Sequence, residues 1–273
     1  MSRLLRLGAL SIVVVLVASA AGCGTVKFYW QAVDGQIELI RKSRPIGEVL
    51  DDAAVAREVK LKLERVREIR DFASRQLGLP DNASYRRYAD LRRRFVVWNV
   101  FAADEFSVRA KEWCFPIAGC VGYRGYFHEA DARRFAQAEC TKGIDVYVGG
   151  VPAYSTLGWL DDPVLNTFIH YPETELARLI FHELSHQVAY AKGDSTFNES
   201  FAVAVETEGV ERWLATHGDS AQRDAYFAAQ RRKADFLALV ERTRQRLAQV
   251  YAAGGDATAM RAAKAATIDD MRR

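Results

Sequence analysis

The chain has little of what several function classes require. Lys and Arg number 38 against 35 Asp and Glu, a formal net charge of only +3. So small an excess argues against nucleic acid as a partner, which needs a concentrated basic patch. There are four cysteines and no C-x-x-C pair, which argues against zinc held by cysteine knuckles. No internal repeat and no low-complexity segment is present, so the chain is not organised as a repeat array. Histidine is scarce, with five in 273 residues, and two of the five fall in one short motif. What is there is globular: 49% hydrophobic and 27% charged residues, in a length that suits one large domain.

The one long apolar run is at the start. Arg3 and Arg6 precede Leu10 to Ala18, and small residues then lead to Cys23. Residues 1–22 read as a secretory signal peptide, which leaves 23–273 as a single domain. The ending Ala20-Ala21-Gly22-Cys23 resembles the lipobox of bacterial lipoproteins. That resemblance implies a lipid on Cys23 and attachment to a membrane through it. Gly24, in place of Asp after the cysteine, implies the outer membrane, with the domain facing the periplasm. An exported chain meets an oxidising compartment. Cys114 and Cys120 bracket a short turn-prone loop that could close as a disulfide, and Cys140 is then left over. Three cysteines allow three pairings, and spacing does not choose among them.

Along the chain, 28–44 reads as a short helix ended by Pro45. Residues 46–79 read as one long amphipathic helix closed by Gly78 and Pro80. From Phe95 the texture turns β-branched and aromatic. Strands are expected over 95–101, 121–127 and 144–148, with a helix over 129–142 between the last two. Pro152 keeps the stretch after the third strand at a sheet edge or in a loop. Helices then follow over 172–191, 198–217 and 219–251. Gly254 and Gly255 interrupt the last of these, and a fraying or loosely docked helix comes after them.

His182, Glu183 and His186 form H-E-x-x-H inside the 172–191 helix. Two histidines four apart share a helix face, so both rings can reach one metal ion. The default ion is Zn2+, with a carboxylate from a following helix as third ligand and a fourth position open to water. Glu183 points beside the metal rather than at it. It is the general base that takes a proton from the zinc-bound water, whose pKa falls to about 7, and passes it to the leaving amine of a cleaved peptide.

The following Asn198-Glu199-Ser200-Phe201-Ala202 resembles the N-E-G-F-A segment of gluzincin peptidases such as aminopeptidase N. The resemblance makes Glu199 the third metal ligand. Glu206, seven residues on, matches an acidic position of that family, and nearly two turns put it on the same face to support a ligand. Ala202 lets the two helices pack closely. Twelve residues between His186 and Glu199 make a tighter connection than in that family. Gly149 to Ala153 stand where the family carries G-A-M-E-N, without its Glu. An exposed edge at Gly149, Gly150 and Tyr154 could still take an extended peptide by strand addition. Tyr154, Tyr190, His217 and Tyr226 are candidates to stabilise an oxyanion.

Over nearly its full mature length, through WCFPIAGCVGYRGYF, DVYVGGVPAYSTLGWLDDP and FHELSHQVAY…FNESFA, the chain resembles a family of bacterial lipoprotein aminopeptidases. The resemblance implies a helix-rich α+β, thermolysin-like zinc peptidase core. In it a small sheet lies with an edge strand over the H-E-x-x-H helix, and long helices sit at both ends. The implied function is zinc-dependent peptide hydrolysis, with aminopeptidase action the leading expectation. The alternatives are a non-catalytic envelope scaffold stabilised by zinc, or an endopeptidase of envelope proteins.

Overall fold

Apolar residues at three- and four-residue spacing make most of this chain helical. Helices hold 58% of the described residues beside small mixed sheets, a helix-rich α+β fold. A computed structural model describes residues 23–115, 119–156 and 158–273. The expected signal peptide, 1–22, and the middle of the loop between Cys114 and Cys120 lie outside them.

Helix α1 (Cys23–Lys42) leads through strand β1 (Ser43–Pro45) to α2 (Ile46–Asp51) and α3 (Arg57–Leu77). The single helix expected over 46–79 is therefore two. Asp52 breaks it: its Oδ1 accepts from the Ala54 N–H at 2.9 Å, a local turn that competes with helix. α3 buries Leu63, Val66, Ile69, Phe72 and Ala73. It ends where Gly78 takes φ 67°, a left-handed position suited to glycine.

β2 (Arg87–Ala89) pairs antiparallel with β1 and parallel with β8 (Val164–Leu165). The sequence did not announce these strands, because two or three residues show no alternation. A second sheet centres on β3 (Val97–Asp104), which starts two residues later than expected and runs further. It pairs antiparallel with β6 (Arg124–Tyr126) and with β7 (Ile144–Val151), from Val97↔Val151 to Asp104↔Ile144. The order β6-β3-β7 leaves β7 at an edge. The strand expected over 121–127 is split. Val121 ends β5 (Gly119–Val121), which forms a hairpin with β4 (Trp113–Phe115). Cys114 and Cys120 face each other there and are bonded, which leaves Cys140 free and exposed.

α4 (Glu129–Cys140) packs on the second sheet through a small core of Val100, Tyr126, Ala132 and Ala136. The main core gathers α3, the first sheet and α5 (Glu173–Ser185), whose Leu176, Ala177, Leu179, Ile180, Phe181 and Leu184 are buried. α6 (Ser195–His217) lies close against α5. Ala202 is fully buried, and a Cβ on Gly209 would come within 2.7 Å of the Phe181 ring. α7 (Ser220–Ala253) starts at a capping box of Asp219 and Gln222. The chain end is the helix expected there, α8 (Ala257–Met271), but it is docked rather than loose. It is tied back to the second sheet by Lys264 on Asp145, and by Arg261 Nη2 on Glu105 at 2.9 Å.

Candidate metal centre

α5 is shorter than its apolar pattern suggests. It stops at Ser185, and His186 is its C-cap, with φ −62° and ψ −20°. Tight turns follow, with Gln187 N–H on Leu184 O at 3.1 Å and Val188 N–H on Ser185 O at 2.9 Å. His186 still has helical backbone angles, so the four-residue spacing holds and the two Nε2 atoms stand 3.2 Å apart.

The tight connector to α6 is held by Asn198. Its amide accepts from Ala191 N–H at 2.7 Å and donates to Ala191 O at 2.9 Å. Asp194 caps α6 through Phe197 N–H at 2.9 Å. With the start of α6 locked in this way, Glu199 reaches the histidines. Its Oε2 is 3.3 Å from His182 Nε2, and its Oε1 is 3.8 Å from His186 Nε2.

Glu206 is almost wholly buried beneath them. Its Oε2 accepts from His182 Nδ1 at 2.8 Å and from Arg178 Nη1 at 3.1 Å, and Lys233 of α7 stands 3.8 Å from Oε1. A proton on His182 Nδ1 leaves the Nε2 lone pair facing His186 and Glu199. Three donor atoms, one from each residue, thus lie within 4.8 Å of one another. A tetrahedral ion with metal–nitrogen bonds of about 2.0–2.1 Å would set its nitrogens about 3.3 Å apart. The observed 3.2 Å between the Nε2 atoms fits such an ion. His186 Nδ1 is buried and unpaired among the described residues.

The charges follow from burial and neighbours. Burial alone would lower the His182 pKa; the hydrogen bond to Glu206 and the charges of Glu183, Glu206 and Glu199 outweigh it and raise the value. Burial, then the neighbouring His182, lower that of His186. Burial would raise Glu206, but His182, Arg178 and Lys233 hold it below the ordinary range.

Glu183 is pushed up to about 7, chiefly by burial, against the pull of His182 and a hydrogen bond from Ser155. Ser155 also lies 3.3 Å from Asp162 Oδ2, which accepts from Thr156 N–H at 2.9 Å. Asp162 is itself buried and raised by that burial. Its carbonyl accepts from Tyr85 N–H at 2.7 Å. Tyr85 sits at φ 63°, a strained position for a bulky residue. Its buried hydroxyl is raised by burial and then by the charges of Glu183 and Asp162. Ser155 thus contacts the carboxylate of Glu183, and Asp162 and Tyr85 share its electrostatic surroundings. Sequence reading singled out none of the three for a role, because they come from two distant loops and no known site motif contains them.

The remaining expected residues divide. β7, with Gly149 and Gly150, runs through Tyr154 directly into Ser155. Gly150 is also needed for packing, since the Phe95 ring would lie 2.2 Å from a Cβ there. Tyr154 packs edge-on against Phe127, and Tyr190 stands edge-on to His186 at 6.4 Å. His217 is stacked on Trp213 at 3.9 Å, inside an aromatic cluster with Phe72. Tyr226 is buried on α7 near Glu211, Glu206 and Glu175. Tyr123 was missed: after burial, the groups that raise its pKa are Glu199, Tyr190 and Glu183. Its only sequence signal was its place in the alternating aromatics of VGYRGYF.

A family model described as "Putative aminopeptidase" matches residues 27–273. The chain belongs to that family. No curated protein and no solved structure matches it. The family's description brings peptide hydrolysis, at a coarse level, to a site that could hold a metal ion on two histidines and a glutamate.

Proposed function

We propose that this protein is a zinc-dependent peptidase acting on peptide N-termini, carried on the periplasmic face of the outer membrane by a lipid on Cys23. The observation that carries the peptidase reading is the convergence of His182, His186 and Glu199 beside a half-buried Glu183. His182, His186 and Glu199 would hold the zinc. Zinc, when bound, supplies a Lewis acid that polarises a carbonyl and acidifies water.

The chain's own residues do the rest. Glu206 keeps His182 in the tautomer that presents Nε2. Glu183, with a pKa near 7, is poised to take a proton from water and return it to the departing amine. Ser155 stands between Asp162 and Glu183 and has one hydroxyl proton to give to either carboxylate. Edge strand β7, which leads to Ser155, suits an extended peptide added as a further strand.

The test uses purified protein, metal analysis and peptides with free or acetylated N-termini. Wild type should hold about one zinc per chain and lose activity on chelation. Glu183→Gln should keep the zinc and lose about 10²–10⁴-fold in turnover. Preference for free N-termini supports aminopeptidase action, and equal cleavage of both sets makes it an endopeptidase. A chain without bound metal, or with Glu183→Gln as active as wild type, ends the enzyme reading.

A further inference from the structure

α1 is turned the wrong way for a helix that only packs onto a water-soluble body. Its inward stripe is Gln31, Gly35 and Leu39. Gln31 is buried: its amide oxygen accepts from Phe127 N–H at 2.9 Å and its amide nitrogen donates to Gly125 O at 3.4 Å. Gly35 lies so close to Phe127 that a Cβ would sit 2.0 Å from the ring. Glu38 fastens the same helix to Arg93 at 2.6 Å. The large apolar residues face out instead: Trp30 is 73% exposed, Val33 54%, Ile40 54%, Tyr29 42% and Ile37 39%. At the helical repeat these five fall within an arc of about 100° that carries no charged side chain.

We propose that this stripe lies in the interfacial zone of a phospholipid bilayer, with α1 parallel to the surface. The sequence just before α1 holds the chain's one long apolar run, Leu10 to Ala18, and Cys23 is the first residue of α1. Whether that run stays or a lipid on Cys23 replaces it, the membrane-attached point is the start of α1. At the helical rise, Trp30 is then about 10 Å and Ile40 about 26 Å along the helix from that point. The stripe therefore begins within reach of the headgroups. Arg41 stands just beside the stripe at its far end and suits anionic lipid, whereas Lys27 pairs with Asp131 at 3.6 Å and Lys42 with Glu38 at 2.8 Å. A tryptophan at the edge of such a stripe matches the preference of indole for the bilayer interface. Among the described residues no helix is long and apolar enough to cross a membrane, so α1 lies on the bilayer rather than through it. The inference rests on the envelope reading above, and not on the peptidase chemistry.

The test places the full chain in vesicles of phosphatidylethanolamine and phosphatidylglycerol, with and without brominated acyl chains, and reads flotation and tryptophan fluorescence. Brominated lipid should quench a component that Trp30→Phe removes. Trp159→Phe, at a position 72% exposed elsewhere on the body, should keep that component. Ile37→Glu with Ile40→Glu should leave the chain floating with the vesicles and abolish the quenching. If the chain floats but Trp30→Phe changes nothing, the stripe is not in the bilayer and only this inference falls. Disulfide capture between two copies of an Ile37→Cys variant in the vesicles would make the stripe a contact between chains, and also overturns it. A chain that does not float at all removes the envelope reading and this inference together.

Discussion

Two helix pairs follow one another along the chain and treat polar groups in opposite ways. In α5 and α6, Ser185, His186, Asn198 and Glu206 are buried. Ser185 Oγ donates to His182 O at 2.6 Å, Asn198 clamps Ala191, and Glu206 is held by His182 and Arg178. In α7 and α8 only Tyr226, Thr243 and Thr267 are buried, and most of the charges stay in water, Lys264 being partly covered. That second pair is fastened by surface ion pairs such as Arg246 to Asp270 at 2.5 Å. The lesson is one of dielectric. A group that must hold a metal or a proton gains from exclusion of water, but each buried polar atom then needs a partner. A pair that only braces the fold has no such need. Lys233 is one place where the two pairs meet, since it reaches from α7 to Glu206.

The largest expected effect tests whether the buried network really extends below the site. Arg70 is fully buried and gives its guanidinium to Ser84 O at 2.8 Å, Pro80 O at 2.6 Å and Asn82 O at 3.1 Å. The loop it holds reaches the turn after His186, through Asn82 Nδ2 on Gln187 Oε1 at 2.6 Å. Arg70→Ala strands three carbonyls and should cost on the order of 4 kcal/mol in a denaturant titration. A loss under about 1 kcal/mol would show that the loop stands without it.

Next in size is Glu206→Gln, which removes a charge from the base of the candidate metal site. Metal affinity, read by competition with a chelating dye, should fall about 10–100-fold while helix content is kept. An unchanged affinity would reduce Glu206 to a packing residue. Smallest is Asp145→Asn, which unties Lys264 of α8. The melting temperature should drop by less than about 2 °C, and by less again in high salt. If that change lowered metal affinity as well, α8 would have to be counted with the site and the contrast between the pairs would fail.

How much of this could be read beforehand depended on how local the cause was. The i, i+4 histidines were legible because helix geometry alone puts them together. The length of α5 was not, because apolar Val188 extends the pattern although it is exposed past the helix end. The 46–79 stretch read as continuous because its charges and apolar residues keep helical spacing through Asp52, whose side-chain turn is a competing local bond. β1, β2 and β8 exist only through partners far along the chain. For α1, periodicity showed an apolar face but not the direction in which it points.

By itself the sequence determined the helix-rich class, the H-E-x-x-H pair and the candidate third ligand, since each follows from short-range spacing or from a contiguous motif. It also left three cysteine pairings open, and the β4–β5 register joined Cys114 to Cys120. Only the tertiary structure decided that Glu206 meets His182, that Ser155 and Asp162 stand behind Glu183, and that Arg70 carries the loop under Gln187. Those contacts join residues far apart in the chain. Their free energy comes from burial shared among several elements, which no local pattern records.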